Sequence, residues 1–95
     1  MAWGTVDKAR FRVLAGTIAT IRATTGVERG FCGACGTTLT YANNRRVGEI
    51  DFTLASLEDP AALRPQMHIW VEDKLPWVVI ADGLPQFATV PGGGP

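Results

Sequence analysis

Turn-forming residues interrupt this chain about every 8–12 residues, the spacing of short antiparallel strands. No segment between them sustains a helical period longer than about two turns. That rhythm constrains the fold more than any other feature, and the fold class it predicts is mostly β. Arg10–Leu14 alternates and reads as a strand closed by Gly16. Thr17–Thr24 is rich in Ile and Thr, reads as a second strand, and ends at the turn Thr25-Gly26. Glu28–Phe31 leads into a pair of cysteines. Thr37–Tyr41 places Leu39 and Tyr41 on one face and Thr38 and Thr40 on the other. Asn43–Arg46 reads as an exposed hairpin tip. In Val47–Leu54, Ile50, Phe52 and Leu54 face one way and Glu49, Asp51 and Thr53 the other. Ser56–Leu63 suggests one helical turn capped by Ser56 or Asp59. Met67–Val71 and Trp77–Ala81 read as further strands. The tail 91–95 is low in complexity and expected to be mobile.

Ninety-five residues suffice for one small domain, here taken as residues 1–90, with a thin core. The formal charge of +0 offers no basic field for nucleic acid or anionic membrane. No run of about 18 apolar residues spans a bilayer, and the first residues lack the character of a signal peptide. The expected location is the cytoplasm, where two cysteines are more often metal-binding or redox-active than a structural disulfide.

The pair lies in Phe31-Cys32-Gly33-Ala34-Cys35-Gly36-Thr37. Two intervening residues let both thiolates point at one ion from a tight turn. Glycine follows because that position often needs φ > 0. Backbone N–H groups of such a turn aim at the sulfurs and favour thiolate. Cys32 and Cys35 therefore read as half of a structural zinc site. A thioredoxin-like redox pair would open a helix, whereas strand-like residues follow here; two unrelated thiols are the remaining alternative. A structural zinc takes four ligands. His68, the sole histidine, reads as a hydrogen-bonded structural residue rather than a ligand, and no carboxylate has ligand spacing to the cysteines. Trp70 and Trp77 read as core, Trp3 as a residue without packing partners, and Arg29 as a solvated strand residue that could otherwise meet a ligand carboxylate. Asp82-Gly83 is a turn signal. Glu58 and Asp59 splay apart, and no catalytic triad or phosphate loop is present.

With these residues in hand, the chain resembles the glutathione-dependent formaldehyde-activating family, which includes centromere protein V. The matching runs are Arg29–Leu39, Leu57-Glu58-Asp59-Pro60, His68-Ile69-Trp70-Val71, Leu75-Pro76-Trp77 and Asp82-Gly83-Leu84-Pro85. The resemblance implies a β-tent fold of curved antiparallel sheets. It implies a zinc-dependent carbon–sulfur lyase acting on the formaldehyde–glutathione adduct. It also implies that Cys32 and Cys35 share a structural zinc with an N-terminal Cys-x-Cys pair, and that a separate N-terminal cysteine cluster binds a catalytic zinc. Neither cluster occurs in this sequence. The expectation is an N-terminally truncated domain, inactive alone, with an open sheet edge prone to homodimerisation. The competing expectation is a non-enzymatic module in which two chains pair their open edges and close one four-thiolate zinc site.

Overall fold

The computed structural model describes residues 1–92, with residues 23 and 24 described by their backbone alone. The protein is mostly β, as its turn spacing predicts. Five strands form one antiparallel sheet: β1 (Trp3–Asp7), β2 (Ile18–Thr24), β3 (Val27–Cys32), β4 (Thr38–Asn43) and β5 (Glu49–Thr53). Their order is β1-β5-β4-β3-β2. Strands β2 to β5 are a meander of short connections, and β1 returns to pair with β5. The helical elements are three-residue 3-10 turns, and none of the described helices is long and apolar enough to cross a membrane.

The chain divides into two compact units, Met1–Leu63 and Arg64–Pro95. The first holds the sheet. In the second, His68 and Gln86 form one isolated parallel bridge. Residues 68–72 run beside residues 85–89, with Phe87 N donating to His68 O at 2.8 Å and Trp70 N to Thr89 O at 2.7 Å. Of the expected tail, residues 93–95 lie outside the described residues.

Three expected strands are corrected. Arg10–Leu14 ends a 3-10 turn (Lys8–Arg10) and then runs on without ladder pairing. Met67–Val71 contributes only the His68 bridge, because Trp70 takes the left-handed conformation (φ 56°) and breaks the extended run. Trp77–Ala81 has no ladder partner among the described residues. Apolar and β-branched composition makes a strand only where backbone groups find a neighbour. Trp70 and Trp77 are not core either: they are 40% and 75% exposed. Conversely, Trp3 opens a strand and packs edge-on against Tyr41, ring centroids 6.2 Å apart.

The helical turn expected over Ser56–Leu63 is two separate 3-10 turns, Leu54–Ser56 and Pro60–Ala62. Neither Ser56 nor Asp59 caps one: Ser56 Oγ donates to Thr53 O, and Asp59, at the cap position of the second turn, makes no side-chain cap bond.

The core is thin, as the length predicts. Leu54 is the one buried hydrophobic residue among those described; the polar residues Thr40, Asp51 and Thr53 are buried as well. The two faces of β5 alternate as expected, but the polar one is the more buried. It is buried because its groups satisfy one another. Thr5 Oγ1 donates to Asp51 Oδ1 at 2.6 Å, and Arg46 donates to both carboxylate oxygens. Thr53 Oγ1 donates to Thr38 O at 2.9 Å. Arg46 is thus no free hairpin-tip residue.

The alternation expected along β4 is broken. Gly30 pairs with Thr40 and Phe31 with Thr38, so Leu39 is an extra residue in the ladder. Such a bulge re-aims neighbouring side chains.

Candidate metal half-site and its surroundings

Strand β3 delivers Cys32 at its last residue, and the turn Gly33–Cys35 carries the chain into β4. Two backbone bonds close this turn: Cys32 N donates to Thr37 O at 2.8 Å, and Gly36 N to Cys32 O at 2.7 Å. The second bond requires the chain to reverse at Gly36, whose φ is +80°. A residue with a Cβ would be strained there, which is why glycine follows the second cysteine. Cys32 faces Ile18 across the β2–β3 ladder, which anchors the turn at the β2 side of the sheet.

Both cysteines are free thiols; Cys32 is half-buried and Cys35 exposed. Cys35 Sγ lies 3.1 Å from Thr37 Oγ1. That hydroxyl, followed by the Thr37 backbone N–H and the Cys32 thiol, holds the Cys35 thiol below its ordinary pKa, and burial opposes this only weakly. The turn therefore favours a thiolate at the exposed position, as a metal-binding or nucleophilic cysteine requires.

The fit to zinc stops at two donors. Among the described residues no group of three or more His, Cys, Asp and Glu side chains could hold a metal ion. His68 Nε2 sits 2.7 Å from Asp82 Oδ2, the hydrogen-bonded structural role expected for it. Asp82 is held below the usual carboxylate pKa first by the Leu84 backbone N–H and then by His68. The Leu84 N to Asp82 Oδ1 bond, 3.0 Å, makes the turn predicted at Asp82-Gly83. Arg29 is exposed, as expected of a solvated strand residue, and its guanidinium lies over the Tyr41 ring, 4.9 Å from the centroid.

Two features escaped the sequence reading: the Thr5–Asp51–Arg46 network, and the close packing at Gly4 and Gly30. A Cβ at Gly4 would meet the Phe52 ring, and one at Gly30 would meet Thr40 Oγ1 and Ile18 Cγ2. Glycines inside otherwise strand-like runs are the signal that could have exposed the second feature.

A family model described as glutathione-dependent formaldehyde-activating enzyme matches residues 1–73. Comparison with curated proteins and with solved structures returned no match.

Proposed function

Because the chain belongs to the glutathione-dependent formaldehyde-activating enzyme family, we propose that it carries the Cys-x-x-Cys half of the zinc clamp of a carbon–sulfur lyase for glutathione adducts. The reaction class cleaves the C–S bond of the hydroxymethyl adduct. Formaldehyde leaves, and the hydroxyl proton ends on the glutathione sulfur. The observation that supports the reading is the preorganised turn, with Gly36 left-handed and the Cys35 thiol shifted toward thiolate. Zinc bound there would act structurally, tying β3 to β4. With two thiolates against the four ligands such a zinc takes, this chain does not complete the site, and no catalytic step is assigned to its residues. Alone, the chain does not turn over the adduct.

The exposure of Cys35 supports a second reading, in which the turns of two copies face one another and share one zinc. Structural zinc contributes about 10–16 kcal/mol in small peptides, comparable to a whole domain's stability of about 5–15 kcal/mol. Zinc content per chain, solution mass and turnover of S-hydroxymethylglutathione test both readings. Zinc-dependent turnover by the purified chain overturns the assignment of inactivity. One zinc per two chains, with dissociation in chelator, selects the shared site. A zinc-free protein whose stability chelator leaves unchanged overturns both zinc readings.

A further inference from the structure

One face of the sheet carries an open cavity of about 400 Å³, lined by Val6, Ile18, Leu39 and Phe52 from four strands. The strand pairing explains why it exists. Phe52 and Thr40 are direct neighbours on β5 and β4. The Phe52 ring leans over Gly4 toward β1, while Thr40 leans the other way, over Gly30 of β3. The two side chains diverge because glycine lies under each. The bulge at Leu39 then turns that residue onto the same face as Thr40.

The segment after β1 supplies the charge. Phe11 enters the lining with Arg10 and Arg12 on either side of it. Both arginines are exposed, and neither forms an ion pair among the described residues. Among the described residues no carboxylate lines the cavity. The volume lies within the range of small-molecule sites, about 300–1,000 Å³. An apolar floor with two exposed guanidinium groups suits a ligand with a hydrocarbon body and an anionic head.

We propose that this cavity binds an amphiphilic carboxylate, its chain against Ile18, Leu39 and Phe52 and its head between Arg10 and Arg12. The cavity borders the cysteine turn through Ile18, the cross-strand partner of Cys32, but no cysteine lines it, and the proposal does not rest on the zinc readings.

Titration with octanoate, followed by amide NMR, tests it, with octanol and octyltrimethylammonium as comparison ligands. The expected result is saturable binding of octanoate that shifts the amides of Ile18, Leu39 and Phe52. Arg10 and Arg12 are exposed, so the double variant Arg10→Gln/Arg12→Gln should fold normally. It should weaken octanoate by about five- to ten-fold while leaving octanol unchanged. Four results overturn the proposal: equal binding of octanoate and octyltrimethylammonium, undiminished octanoate binding by the double variant, shifts that map elsewhere, or a self-associated protein that protects these amides and binds no octanoate.

Discussion

Substitution of Arg46 by Met isolates the buried charge on which β5 rests. Arg46 donates Nη1 to Asp51 Oδ2 at 2.8 Å and Nη2 to Oδ1 at 2.5 Å, a bidentate pair. The side chains are 37% and 12% exposed, respectively. Removing one partner of a fully buried pair costs about 3–5 kcal/mol, because the other charge is left without compensation. Arg46 is partly solvated and Asp51 keeps the Thr5 hydroxyl, so we expect about 2–3 kcal/mol. For a domain this size that lowers Tm by about 10–20 °C. Asp51→Asn should cost less, and Arg46→Met/Asp51→Asn less than the sum of the two by about 1–2 kcal/mol. Urea unfolding followed by far-UV circular dichroism measures all four corners of the cycle. The acid limb gives an independent readout. Burial, the largest single influence on Asp51, raises its pKa, but hydrogen bonds from Arg46 and Thr5 and the Arg46 charge together hold it below 3.8. The folded state thus binds fewer protons than the unfolded one. The stabilisation is complete above the unfolded pKa near 4 and is lost as pH falls through the folded value. Arg46→Met should flatten that limb. A loss below about 0.5 kcal/mol, the range of ordinary surface changes, or an additive cycle would refute this account of the buried polar face.

Gly36→Ala places a Cβ at φ +80° and should cost about 1–2 kcal/mol in the same urea assay; a neutral result would mean the turn relaxes without strain. Thr37→Val removes the hydroxyl 3.1 Å from Cys35 Sγ. It should move the pH midpoint of Cys35 alkylation upward and leave Cys35 the faster of the two thiols; an unmoved midpoint would show that the hydroxyl does not stabilise the thiolate.

Legibility from sequence divides by range. Thr25-Gly26, the cysteine turn and Asp82-Gly83 were readable because each is decided by a few adjacent residues and their φ preferences. Strand β1 was not, since Trp3–Asp7 becomes a strand only by pairing with β5, some 46 residues away at Thr5–Asp51. The periodicity of β5 was visible, but which face is buried was not. A polar face goes inside only if its partners converge, and Thr5 and Arg46 come from two other segments. In β4, one inserted residue at Leu39 overrode the alternation. The false strands had the opposite fault: Arg10–Leu14 and Trp77–Ala81 have a composition suited to a sheet without a ladder neighbour among the described residues. Met67–Val71, by contrast, has a neighbour in residues 85–89 but is broken at the left-handed Trp70.

The strand order also separates two assemblies that the sequence reading combined. Strands β1 and β2 are the outermost strands of the sheet. Only β1 is regular, paired from Trp3 to Asp7 without a shift, and so suited to receive another strand. Strand β2 is blunted by a register shift between Ile21 and Thr24 and by the exposed Arg22, paired with Glu28 of its own hairpin. The cysteine turn joins β3 to β4, far from the β1 edge. In a dimer paired through β1, the two turns stand about six strand spacings apart, roughly 29 Å at about 4.8 Å per strand. Even pairing through β2 leaves about four spacings, or roughly 19 Å, whereas sulfurs sharing one zinc each lie about 2.3 Å from it. A single zinc therefore cannot close an edge-paired dimer, and a zinc-shared dimer must meet turn to turn. Chelator distinguishes them in the mass measurement: the edge dimer persists without metal, and the turn-to-turn dimer falls to monomer.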